Sequence, residues 1–201
     1  MQAWKTLSRK TILNHSKFLT VEEHVVQLPD GRIIPDWPWV IASNYVIVLA
    51  VTEDEQFLCF RQVKYGVEGA SLAPVGGHLE SGEEAMAAAQ RELLEETGYR
   101  ASNWIDLGAY QENGNRGVAT AYLFLALGAC QVAEPDADDL EEQHLLLLTR
   151  SEIEAALAAG EFKVLAWTAA VALALLYLEK SSAPKAVPLH PLTRPCGVTG
   201  T

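Results

Sequence analysis

Two hundred and one residues with 49% hydrophobic and 20% charged side chains make one substantial globular domain, or two small ones sharing a core, and exclude disordered, collagen-like and fibrous chains. Fifteen Lys and Arg against twenty-six Asp and Glu leave a formal net charge of −11 and a pI near 4.9, which repels polyphosphate backbones and argues against nucleic acid as a partner. Cys59, Cys130 and Cys196 are odd in number and lack CxxC spacing, so neither a disulfide framework nor a zinc cage is expected, and a reducing, cytoplasmic setting fits. No apolar run reaches the roughly 18 residues of a membrane span, and no membrane partner is expected.

Residues 4 to 28 contain alternating β patches (Thr11-Ile12-Leu13, Phe18 to Val21, Val25 to Leu28), and Pro29-Asp30-Gly31-Arg32 is a turn between strands, so an antiparallel β-meander is predicted. Tyr45 to Thr52 is an almost unbroken apolar run with a hairpin partner at Gln56 to Gln62, which implies a central sheet covered on both faces. A helix is predicted over Ser81 to Glu96, opened by a Ser81/Glu84 capping box and closed by Gly98 as a left-handed C-cap. Strands follow at Trp104 to Tyr110, Gly117 to Leu127 and His144 to Leu148, then a short helix at Ser151 to Ala159 and an apolar helix at Val164 to Leu178. From residue 181 to 201 Ser, Pro, Gly and Thr dominate, and a flexible tail is expected. Strands with segregated helices argue for an α+β or three-layer α/β/α sandwich.

The chemistry concentrates where a glycine loop, Gly76-Gly77-His78, runs into an acidic helix. Glu92, Glu95 and Glu96 at i, i+3 and i+4 share one helical stripe, continued toward the N-terminus by Ala85, Ala88 and Ala89. Like charges so placed repel, and hard oxygen ligands without His or Cys suit Mg²⁺, with Mn²⁺ as a substitute. The small alanines are expected to leave room for a substrate. Gly76 and Gly77 let the backbone approach a ligand, and Glu83 is expected to serve the helix dipole. Arg91, four residues before Glu95, is placed to orient that carboxylate.

The full arrangement, Gly77-x5-Glu83-x7-Arg91-Glu92-Leu93-x-Glu95-Glu96-x-Gly98-Tyr99, resembles the signature of the Nudix hydrolase superfamily, with Tyr99 where a bulky aliphatic residue is usual. The resemblance implies an α/β/α sandwich and hydrolysis of a nucleoside diphosphate linked to another moiety. Carried over by motif, it makes Glu92 and Glu96 metal ligands, Glu95 a ligand or base, and the Gly76 carbonyl a further ligand. Gly77, Glu83, Arg91 and Gly98 fall to structural roles.

Outside the signature, the N-terminal strands and Arg61-Gln62-Val63-Lys64-Tyr65-Gly66 resemble the ADP-ribose pyrophosphatase branch. That likeness implies a homodimer joined through residues 1–40, a hydrolase domain over 41–180, and Trp37 and Trp39 as base-stacking groups. Arg61 and Lys64 become candidate phosphate contacts, and Glu141 or Glu142 a candidate base ahead of the strand at His144. Trp37 and Trp39 can equally be an aromatic pair packed on the sheet, and Arg61 and Lys64 strand-end cations facing an acidic surface. Asn113 replaces a proline usual in proteins acting on ADP-ribose, which brings nucleotide sugars and other dinucleotides into contention. A nucleoside triphosphate pyrophosphohydrolase and a noncatalytic nucleotide sensor are the alternatives.

Overall fold

The computed structural model describes residues 1–16, 18–136 and 142–182. The chain begins with the meander: β1 (Lys5–His15) and β2 (Leu19–Gln27) form a hairpin, and β3 (Ile33–Ile41) returns along β2 after a turn in which Gly31 takes φ 87°. β1 is exposed along its whole length, since among the described residues its one strand neighbour is β2.

The centre is β4 (Tyr45–Thr52), held parallel to β9 (Gly117–Gln131) and antiparallel to β5 (Phe57–Val63). Six of its eight residues are buried, because both faces are covered. Val46, Val48 and Ala50 lie under α1 (Ala85–Thr97) with Ala88, Ala89 and Leu93. Leu49 and Val51 face α2 (Arg150–Ala158) and α3 (Leu165–Ser182), meeting Ile153, Val171 and Ala174. Burying each such Val or Leu is worth about 1.5–3 kcal/mol, which is why an unbroken apolar run rather than an alternating one occupies the middle strand. Cys59 is part of this interior, and burial pushes its thiol up to about 12.

β4 and β5 stay paired only at Ala50–Leu58 and Val51–Phe57. Beyond that they diverge. The segment made of β6 (Ala70–Ala73) and β7 (Val75–His78) fills the opening, β6 pairing with β5 and β7 with β4. β8 (Tyr99–Asn113) pairs with β9, and β10 (Gln143–Leu148) with the far edge of β5. The result is a curled mixed sheet between helical layers.

Several predicted boundaries change. α1 opens at Ala85 with Glu84 as N-cap and no side-chain cap bond, so the Ser81/Glu84 box does not form. Gly82 at φ 80° turns the chain first, and the Glu83 amide donates to the Glu80 carbonyl. The predicted C-cap is present: Gly98 sits at φ 74° and donates to Leu94 O. A capping box opens α2 instead, between Thr149 and Glu152. β8 and β9 outrun their apolar patterns, because bulges let half-exposed ends keep pairing. α3 continues through Ser182, so a tail starting at 181 is two residues too early; residues 183–201 lie outside the described residues.

Candidate active site

The divergence of β4 from β5 leaves a cleft of about 670 Å³. One wall is α1 with Glu92, Glu95 and Glu96; the floor is β7 with Gly76 and Gly77; Gln62, Lys64 and Gln143 form the other side, and Trp167 of α3 reaches in. The glycines are dictated by crowding. A Cβ on Gly77 would lie 2.1 Å from the Glu92 carboxyl carbon, and one on Gly76 would lie 2.6 Å from the Val46 carbonyl oxygen. The Gly76 amide donates to Glu96 Oε2 at 3.3 Å, so helix and loop meet at the carboxylates.

Arg91 holds the acidic wall together. Its Nε and Nη2 donate to the two oxygens of Glu83, both at 2.9 Å, and Nη1 donates to Glu92 at 2.8 Å and Glu95 at 2.9 Å. A further bond from Nη2 reaches the His78 carbonyl at 3.2 Å. The Arg91 guanidinium beside Glu83 holds that carboxyl below its ordinary value of 4.5, and Glu83 in turn raises Arg91. Glu83 therefore acts through this fork from the turn before α1, not through the helix dipole as its position in the sequence suggested.

The sign of the pH effect follows. A carboxyl depressed on folding contributes stability above its unfolded value, and that contribution is lost as pH falls through the folded one. Arg91→Met is accordingly expected to be less stable than the parent at pH 7, with the difference shrinking below pH 4.5. Urea midpoints at pH 7 and at about pH 3.5 check this; a gap that stays constant would remove the ion pair as its cause.

Other predicted residues fall elsewhere. Ala88 and Ala89 are fully buried against the sheet, so their smallness lets α1 sit close to β4 and leaves no room for substrate. Arg61 points away from the cleft, since side chains alternate along β5 and Phe60, Gln62 and Lys64 take the cleft side. It pairs with Glu161 at 2.9 Å. Glu142 has its side chain 84% exposed, pairs with His144 at 3.2 Å and does not line the cleft, because the next residue, Gln143, takes the inward position. Glu141 lies outside the described residues.

Trp37 and Trp39 line a separate aromatic recess with Trp4 and His24. Trp39 stacks on His24 at 5.4 Å and rests on Gly117, and the Trp37 indole donates to the Asn115 carbonyl at 2.8 Å. Within one chain they do not join the glutamates. Asn113 caps the β8–β9 turn, its side-chain oxygen accepting from the amides of Asn115 and Arg116.

Sequence reasoning assigned no role to Tyr45, Gln62, Glu112, Gln143 or Trp167, all of which line the cleft. Burial pushes the Tyr45 phenol up, with the charge of Glu112 adding to it. For Gln62 a signal existed in its alternation with Phe60 and Lys64; for Trp167, inside an apolar helix, none did.

The donor set suits a hard divalent cation. It is made of carboxylate oxygens and a nearby backbone carbonyl, and the Gly77 cradle keeps Glu92 against the floor. Among the described residues no three His, Cys, Asp or Glu side chains already converge on one point. Arg91 supplies the counter-charge, its Nη1 shared between Glu92 and Glu95.

The NUDIX domain family model matches residues 43–168, which take in the cleft and the whole of α1. The chain belongs to the Nudix family. A second model, the nucleoside diphosphate sugar hydrolase N-terminal domain, matches residues 4–40. An ADP-ribose pyrophosphatase of Bacillus subtilis is 30% identical over 192 residues, spanning 90% of this chain and 98% of the relative. A CMP-5'-(N-acetyl-N-hydroxy-3-aminopropyl)phosphonate hydrolase of Streptomyces rubellomurinus is 29% identical over 124 residues, or 62% of this chain and 60% of the relative. The crystal structure of an ADP compounds hydrolase superposes with a TM-score of 0.71 at 20% identity, covering 90% of this chain and 97% of that one, and shares the fold. As a Nudix hydrolase the protein works with a divalent cation. No helix among the described residues is long and apolar enough to cross a membrane.

Proposed function

We propose that this Nudix protein is a Mg²⁺-dependent pyrophosphatase that splits a nucleoside diphosphate linked to another moiety, ADP-ribose or a nucleotide sugar, into a nucleoside monophosphate and a phosphorylated partner. The observation that carries the reading is the convergence of Glu92, Glu95, Glu96 and the Gly76-Gly77 backbone on one cleft. Glu92, Glu96 and the Gly76 carbonyl would hold the metal. When bound, Mg²⁺ neutralises charge developing on the phosphate oxygens and lowers the pKa of an attacking water.

The chain's own groups do the rest. Arg91 orients Glu92 and Glu95 and spares them mutual repulsion. Glu95, with a half-exposed side chain, is the carboxylate best placed to take a proton from water. Lys64 lines the opposite side, where a cation suits a phosphate oxygen.

Residues 1–40 serve as the dimerisation region and 41–180 as the hydrolase domain in this reading. The support is β1, an eleven-residue edge strand exposed throughout and carrying Leu7, Ile12 and Leu13 on its surface. A partner brought onto that edge gives Trp37 and Trp39 a route to the base of the substrate. A cytoplasmic location fits the buried thiol of Cys59.

Product analysis tests the reading. With Mg²⁺, release of AMP from ADP-ribose is expected, or of the nucleoside monophosphate from nucleotide sugars. Turnover of nucleoside triphosphates alone would overturn the substrate class, and nucleotide binding without turnover across the panel would replace the enzyme with a sensor.

A further inference from the structure

Gln62 retains only 6% of its accessible surface, yet it lines the cleft. Its side-chain amide makes no hydrogen bond to any described residue. No fully buried side-chain polar atom among the described residues lacks a partner, so the amide nitrogen and oxygen of Gln62 both open onto the cleft. Such an amide keeps only a narrow opening for solvent, and a molecule that fills the cleft closes that opening, so it must itself supply the hydrogen-bond partners that the protein does not.

The chemistry of the amide narrows what that molecule offers. It presents one acceptor and one donor group side by side. Phosphate oxygens only accept and leave the amide oxygen unanswered, whereas a hydroxyl both donates and accepts. The opposite wall is acidic and suited through its cation to phosphate. Across the β5–β10 register the direct neighbour of Gln62 is Gln143, and with Lys64 these residues form a side of the cleft that is polar without being acidic, where a phosphate oxygen suits Lys64 and a hydroxyl suits the amide.

We propose that Gln62 reads hydroxyl groups of the sugar attached to the outer phosphate, and so selects nucleoside diphosphate sugars over diphosphates that carry no sugar there. The inference rests on the diphosphate-hydrolase reading and adds to it the residue and the substrate moiety that set specificity. Gln62 is a binding group; it takes no part in breaking the phosphorus–oxygen bond.

The test uses the full chain with Mg²⁺ and two substrates, ADP-ribose and the methyl ester of ADP on its outer phosphate, which keeps the diphosphate and lacks the second sugar. In Gln62→Met the ratio of kcat/KM for ADP-ribose to that for the methyl ester is expected to fall about tenfold, with the loss carried by KM for ADP-ribose. Gln62→Glu, which keeps the shape and loses the donor, is expected to lower the same ratio and covers a failure of the Met variant to fold. A ratio unchanged in both variants overturns this inference alone. If the parent cleaves neither diphosphate, the functional reading falls and takes the inference with it.

Discussion

Glu96→Gln is expected to lower kcat by about three orders of magnitude while leaving the fold in place. Glu96 lies at the cleft with its carboxylate 3.3 Å from the Gly76 amide, and a glutamine keeps an oxygen to accept that bond. What disappears is one negative charge from a face where Glu92 and Glu95 already repel it. Relief of such pairs is worth a few tenths of a kcal/mol, so Tm should hold or rise slightly. A second readout separates lost metal binding from lost positioning. The parent should gain thermal stability as Mg²⁺ is added, by about 2.7 kcal/mol at a hundred times Kd, and the variant should gain far less. Equal stabilisation of both by Mg²⁺ would place the ion elsewhere. A variant that stays active would exclude Glu96 from the chemistry.

Gly98→Ala has the largest expected effect on stability, about 3 kcal/mol, or roughly 6–12 °C in Tm for a chain of this size. Two costs combine. The residue sits at φ 74°, where an L side chain is strained, and an added Cβ would meet the Ala133 carbonyl oxygen at 2.0 Å, which is backbone and cannot swing aside. That close approach has a purpose. The Gly98 carbonyl accepts from the amides of Val132 and Ala133, and the Glu95 carbonyl accepts from Asp136, so the chain leaving β9 ties down the end of the glutamate helix. Gly82→Ala is the matched control: φ is 80°, but nothing lies within 4 Å of the new Cβ, and the cost should stay near 1 kcal/mol. Scanning calorimetry of both variants decides it, and equal losses would mean that conformational strain alone, without the clash, accounts for Gly98.

The glutamate helix was legible in the sequence because the information is local. Three glutamates at helical spacing must share a face whatever the rest of the chain does, Gly98 marks an end that only a left-handed residue can make, and paired glycines before the helix announce a close approach. The same locality made the unbroken run of β4 readable as a doubly covered strand. Where the helix begins was not legible: Ser81 and Glu84 have the spacing of a cap, but Glu83 is drawn eight residues along to Arg91, and that contact forms only after the turn at Gly82.

The wall opposite the glutamates was decided by tertiary structure. Arg61 and Gln62 are neighbours in the chain, and either residue could have faced inward; the pairing of β5 with β10 and β6 sets the face, sending Arg61 to Glu161 and Gln62 into the cleft. Trp167 reaches the site from a helix whose own pattern is apolar all round. Short-range spacing determined which residues bear the charge in this protein; the divergence of β4 from β5, a property of the whole sheet, determined what that charge faces, because strand pairing joins residues that the chain keeps far apart.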